Sequence, residues 1–373
     1  KDIAKRAPDA TGAEQTFIPS LPTGIHYDAL AAINVKHISL PPLPKGISYD
    51  ALAANSSEHI CNPARSQAIP NRTVDAVDAS SFVARVSKLS GKKREKLILD
   101  QLAAGNIPGF LRWLHPVKIE RKRKNGAKTT ITLCVTPDYL AVGSDRDFLR
   151  VPMGMKSAMK IANRFGFVLP TPKIVDLIHA QADEQLAPGP MKPGPKMTST
   201  GYFSRHNRLV ERQIRSKGVS PGSLLAGHKK DLVISKRLRK KRGRVAIYGW
   251  HRTNGKVIQP LSTVHGAAYA DYSHGVRLVS AIAYVNGKAR TLFELLEDRQ
   301  LASLISKEGR IPRAAKLAGA NKRSTSTLVA SLRSKASRTP STTKLAGLKE
   351  SSTSILTAPS ATHGLDKENG GIN

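Results

Sequence analysis

Carboxylates are scarce in this chain, and the scarcity bounds its chemistry. Against 60 Lys and Arg stand only 27 Asp and Glu in 373 residues, a formal net charge of +33. That balance excludes an acidic solvating chain and points to a partner of opposite sign: nucleic acid, an anionic cell-wall polymer or acidic lipid. Aromatics are few, at 5%. None interleaves with the sharpest basic cluster, Arg121-Lys122-Arg123-Lys124, so a single-strand stacking platform is not expected there. Cysteine is nearly missing. Cys61 and Cys134 are too few for a disulfide framework, and Cys134, inside Ile131-Thr132-Leu133-Cys134-Val135, reads as a buried strand thiol. No run approaches the roughly 18 apolar residues of a membrane span. The first residue is Lys1, so a secretory leader is neither read nor excluded. Two glycosylation sequons, Asn55-Ser56-Ser57 and Asn71-Arg72-Thr73, matter only in a secreted protein. A secreted or cell-envelope location is the one favoured.

The charge is not spread evenly. Residues 1–79 hold 7 basic and 8 acidic side chains, residues 311–373 hold 10 and 3, and the middle holds 43 and 16. The excess therefore sits in the part that reads as folded. Residues 1–77 read as an unstructured leader. It carries a duplicated motif: Leu21-Pro22-Thr23-Gly24-Ile25-His26-Tyr27-Asp28-Ala29-Leu30-Ala31-Ala32 returns as Leu43-Pro44-Lys45-Gly46-Ile47-Ser48-Tyr49-Asp50-Ala51-Leu52-Ala53-Ala54, a period of 22 residues. Two copies are too few for a solenoid. Beyond Ile311 a basic Ser/Thr-rich tail is expected to bury too little apolar surface to order itself.

Residues 78–310 are expected to form one α+β domain, a helical N-terminal part packed on a β-rich, sandwich- or barrel-like C-terminal part. Helices are predicted from Phe82 to Leu89, over 92–104 ending at Gly105, and from Met155 to Phe165. Another starts at Thr171-Pro172 with Thr at the N-cap, and one more covers 203–217. Val117–Val135 predicts a hairpin around Asn125-Gly126. The basic cluster at its tip either grips phosphates or protects a sheet edge. Asp138–Asp147 carries three carboxylates without EF-hand spacing, which predicts capping and ion pairing rather than cation binding. Residues 187–199 form a long Pro/Gly/Met loop, a lid or a linker. After residue 223 strands dominate, including Val245–His251, which returns through Asn254-Gly255.

The richest stretch runs from Val264 to Leu278. It holds two His-Gly pairs, two Tyr, an Asp, a Ser and an Arg between strand-like segments. A core strand would be apolar or alternating, so this stretch reads as a ligand-binding or catalytic loop. His228, His251 and His265 each flank a strand-like segment, and His274 follows closely. If these strand ends meet at one rim, His274 or His265 supplies a base and Asp271 or Asp231 orients it. Ser273 is the candidate nucleophile. Arg277, with Lys229 or Lys230, is the substrate clamp, and Tyr269, Tyr272 and His251 complete the binding surface. His228 is kept among the catalytic candidates.

His265-Gly266 followed by Ser273-His274-Gly275-Val276-Arg277-Leu278 resembles the active-site signature of the L,D-transpeptidases. In that family a His-Gly precedes Ser/Thr-His-Gly-Cys, a small apolar residue and Arg. The resemblance covers about 35 residues, including the preceding hairpin. It implies a β-rich sandwich and remodelling of peptidoglycan through a Cys acyl-enzyme. His274 then matches the base, His265 the first His, and Ser273, Gly275 and Arg277 the surrounding frame. Val276 stands where the family has its Cys, and the gap between the His-Gly units is short. Thioester chemistry is therefore lost, leaving Ser273, an activated water or binding alone.

The expectation is thus a hydrolase or acyl-transferase acting on an anionic, cell-wall-type polymer. One alternative is a zinc-dependent hydrolase whose ligands come from His228, Asp231, His251, His265 and His274, although neither HExxH nor paired-Cys spacing is present. The other is a non-enzymatic polyanion-binding module for nucleic acid or glycan, although no recognised nucleic-acid motif is present.

Overall fold

Asn125-Gly126 turns the chain between two eight-residue strands, β1 (His115–Lys122) and β2 (Lys128–Val135). Their register places Val117 opposite Leu133 and Ile119 opposite Ile131, which sets four buried aliphatic side chains on one face. This is a computed structural model, and it describes residues 59–61, 69–89, 91–122 and 124–320. Most of the leader, with its duplicated motif and the Asn55 sequon, and the tail beyond Ala320 lie outside the described residues. Arg123 also lies outside them. Everything described falls in one compact unit, Ser57–Asn373.

Short strands follow: β3 (Ala141–Gly143), β4 (Phe148–Arg150), β5 (Phe167–Val168), β6 (Glu184–Gln185), β7 (Leu225–Ala226) and β8 (Lys230–Leu232). The C-terminal half adds β9 (Ile247–His251), β10 (Val257–Ser262), β11 (His274–Gly275), β12 (Val279–Val285) and β13 (Lys288–Thr291). Two sheets dominate. One runs β1-β2-β12-β13, with β5 also paired to β12; the other runs β10-β9-β8-β11. The fold is α+β, with no closed barrel among the described residues. Its two halves interleave, because the N-terminal hairpin joins C-terminal β12 antiparallel along β2.

The helices lie where capping and periodicity put them. Pro172–Ala180 begins with the Thr171 hydroxyl accepting from Ile174 N at 3.2 Å. Thr171 also donates to the Ile305 carbonyl, tying that cap to the C-terminal region. Gly91–Ala103 ends ahead of Gly105, whose φ of +82° and contact with the Pro70 carbonyl leave no room for a Cβ. Met155–Arg164 buries Met155, Ala158, Ile161 and Ala162. Thr200–Ser216 buries Phe203 and Val210, and with them two polar residues, His206 and Asn207.

The structure corrects three expectations. Cys61 and Cys134 are joined as a disulfide across 73 residues, with Cα atoms 5.4 Å apart. A short 3-10 turn, His59–Cys61, packs on β1 and brings Cys61 to the buried strand that carries Cys134. Packing also runs past Ile311: a one-turn helix, Ala314–Leu317, buries Ala314, and Ala318 is buried after it. Before residue 78, Arg72 bonds Asn106 and Asp78, so ordered contacts start earlier than expected.

Candidate functional site

β8 positions the site. Its parallel partner β11 sets His274 beside Lys230 and Gly275 beside Asp231, and Lys230 N donates to Ser273 O at 2.7 Å. Gly275 is required here because a Cβ would sit 2.5 Å from the Tyr139 ring. That ring in turn sends its hydroxyl to Asp231 at 2.8 Å.

Below β8 lies a buried ion network. Arg150 donates through Nε and Nη2 to one oxygen of Asp138 at 2.8 and 2.5 Å and through Nη1 to Glu211 at 2.7 Å. His228 Nε2 donates to the other Asp138 oxygen at 3.0 Å. Burial alone would raise the Asp138 carboxyl; Arg150 and His228 overcome it and hold it far below the usual range. Arg277 donates to the carbonyls of Thr136, Pro137 and Leu225 and packs its guanidinium 4.3 Å from the Tyr139 ring centre. Burial lifts the Asp231 carboxyl to about 6, against the opposing pull of Arg277. Both terminal nitrogens of Arg277 are committed to main chain, and its Nε is buried without a partner among the described residues, so the guanidinium is not presented to a substrate as a clamp. Asp231 is held by Tyr139 rather than orienting a histidine.

The loop Val264–Ser273 builds the second cluster. Ser273 donates to one Asp271 oxygen from both its backbone N, at 2.8 Å, and its hydroxyl, at 2.6 Å. Tyr269 donates to the other oxygen at 3.1 Å. Ser273 thus fixes Asp271, and its proton is not shared with a histidine as a nucleophile's would be. His274 is buried, and neither ring nitrogen has a hydrogen-bond partner among the described residues. Its Nε2 lies 3.9 Å from Asp271. Burial pushes the imidazole down to about 4, against the pull of Asp271 and with help from Lys230, His265 and Lys229. Burial would raise Asp271, but His274, the Ser273 donors and Lys230 outweigh it and hold it low. Burial and the adjacent Asp271 lift the Tyr269 phenol to about 12, so it stays a donor. His265 is exposed and stacks on Tyr269 at 4.1 Å, and Tyr269 meets His274 edge-on at 5.6 Å.

The remaining candidates divide. Lys230 is half-buried, its ammonium 4.8 Å from the Trp250 ring centre. Lys229 is buried and donates to Tyr272 O at 2.7 Å, and burial lowers it to about 7. The Tyr272 hydroxyl accepts from Met191 N at 2.8 Å, and Tyr272 N donates to Met197 O at 3.0 Å. The 187–199 loop is therefore pinned to the site. His251 leaves the group: it pairs with Asp176 at 2.9 Å and stacks on His179 at 4.5 Å.

The five proposed zinc ligands do not gather. His228 is engaged by Asp138, Asp231 by Tyr139 and His251 by Asp176, while His265 is on the surface. Among the described residues no group of three or more His, Cys, Asp or Glu is placed to hold a metal ion. Asp145 and Asp147 cap backbone instead, accepting from Phe110 N and Ser80 N.

Sequence reasoning missed His206. It is fully buried, both its ring nitrogens lack partners among the described residues, and its ring lies 5.2 Å from that of Tyr272. Burial beside Lys229 and His228 lowers its pKa strongly. A polar residue on the inward stripe of Thr200–Ser216 was the available signal.

No protein-family model, no curated protein and no solved structure matches this chain.

Proposed function

We propose that the chain is a hydrolase or acyl-transferase acting on an anionic polymer of the cell-wall type, with His274 as its base. One observation carries this: a buried neutral imidazole with two free nitrogens beside a carboxylate fixed by three donors. Leaving such polar atoms unpaired costs roughly 1–3 kcal/mol each, a cost retained where the group has work to do. Neutral His274 takes a proton from water, and the oxygen attacks the acyl carbon. Asp271 stabilises the imidazolium, which then returns its proton to the departing group. Val276 at the family's Cys position and the engagement of Ser273 with Asp271 make water the nucleophile. Tyr269 meets the buried His274 ring edge-on and carries the exposed His265 ring stacked on it, so this reading requires the pair to move for substrate to reach the imidazole. The resemblance to L,D-transpeptidases supports the substrate class, and the basic excess supports a polyanion. The disulfide fits work outside a reducing cytosol.

The test is release of soluble fragments from insoluble peptidoglycan bearing its anionic polymers, followed by mass spectrometry. Wild type releases fragments. His274→Gln lowers the rate about 10²–10⁴-fold, and Ser273→Ala leaves most of it. No release by wild type, or equal release by His274→Gln, contradicts the reading.

A further inference from the structure

A cleft of about 360 Å³ opens beside the His265 loop, which lines it through Ala267. Arg239, Lys241, Arg242 and Arg244 line it from the segment before β9, Lys156 from the helix Met155–Arg164, and Arg313 and Lys316 from the C-terminal end. Among the described residues no carboxylate and no aromatic ring stands in its wall. Met155, Met159, Leu238 and Leu317 give it an apolar floor. Among the described residues none of its seven cations is in an ion pair. The cleft therefore gathers seven unneutralised cations around one apolar floor.

The cleft is also built rather than incidental. The Arg244 guanidinium is anchored on the Val264 carbonyl at 2.5 Å. Met155 N donates to Ala267 O at 2.7 Å, and Ala267 N donates to Gly243 O at 2.8 Å, which closes one wall. Arg313, a non-glycine residue, holds a φ of +50°. Strain of that kind persists where surrounding structure imposes it.

We propose that this cleft binds a small organic polyphosphate, a compact scaffold carrying several phosphate groups. Four guanidiniums supply planar forks that match phosphate oxygens in pairs. Three ammoniums add point charge, and the apolar floor accepts the carbon scaffold. The volume lies in the range of small-molecule sites and is too small for a duplex. Extended single-stranded nucleic acid wants aromatic platforms, which the wall lacks. The inference does not depend on the His274 chemistry, because it is read by binding without turnover.

The experiment is calorimetric titration of the full chain with inositol hexakisphosphate as probe. Binding is expected, with affinity lowered about tenfold or more by Arg239→Gln/Arg242→Gln/Lys316→Gln, as loss of charge-assisted bonds implies. These side chains are exposed and make no ion pairs, so folding is preserved; circular dichroism verifies that. The charge-matched control Arg208→Gln/Arg212→Gln/Arg215→Gln, on the exposed side of the helix Thr200–Ser216, is expected to bind like wild type. Absence of binding overturns the proposal. So does an equal loss in both triple variants, which would mean non-specific attraction. Displacement of the probe by an equimolar single-stranded oligonucleotide would assign the cleft to nucleic acid and also overturn it.

Discussion

His274 Nε2 stands 3.9 Å from the Asp271 carboxylate, too far for a hydrogen bond and near enough for an ion pair once the ring is protonated. The ring is held neutral by burial, while Asp271 pulls the other way. Asp271→Asn removes that pull. Its expected effect is a His274 titration shifted below its already low midpoint of about 4, read by nitrogen-15 NMR of histidine-labelled protein. An upward shift would mean that Asp271 does not face the ring.

Cys61–Cys134 closes a 73-residue separation. Replacing both with Ala is expected to cost about 2–5 kcal/mol, measured by urea unfolding. Dithiothreitol should destabilise wild type by a similar amount and leave the double variant unchanged.

Arg150 neutralises Asp138, and both are buried. Arg150→Met strands a buried carboxylate, with an expected loss of about 3–5 kcal/mol. The double variant Arg150→Met/Asp138→Leu removes both charges and should recover part of that loss, although His228 then loses its acceptor. Equal stabilities of the single variant and wild type would contradict the network.

Gly275→Ala tests the close approach of Tyr139. The added Cβ meets the ring at 2.5 Å, and overpacking of this kind costs about 1–3 kcal/mol. A variant as stable as wild type would show that Tyr139 is free to retreat.

Stability should also fall in acid. His179, His228 and His274 each have a folded pKa near 4 against an ordinary 6.5, because burial disfavours the charged ring. The unfolded chain then binds more protons between those values, so their contribution to stability is complete above about 6.5 and drains as pH falls toward 4. Asp231 acts oppositely: raised from 3.8 to about 6, it favours the folded state as pH falls. His206, lowered further still by burial, acts in the same direction, and four groups against one leave a net loss, measured as a falling urea midpoint from pH 7 to pH 4.5. A flat or rising midpoint would contradict the burial of these rings.

Much of the fold was legible along the chain. Thr171-Pro172, Asn125-Gly126 and Gly105 carry local chemistry that specifies caps and turns whatever surrounds them. The candidate site was legible only in its local part. Asp271, Ser273 and His274 meet through contacts two and three residues long, whereas Lys230 joins them through a two-residue parallel strand that no periodicity announces. Arg277 looked like a clamp because a guanidinium near a His-Gly pair suits substrate anions; its three carbonyl partners come from segments up to 141 residues away. The Cys61–Cys134 pairing and the cationic cleft are likewise products of long-range packing, which residue types alone do not encode.

The most direct test of His274 as base is the pH dependence of kcat/KM for fragment release from peptidoglycan. The account predicts an acid limb with a midpoint near 4, lying lower still in Asp271→Asn and absent from the residual rate of His274→Gln. A limb that persists unchanged in His274→Gln would contradict it.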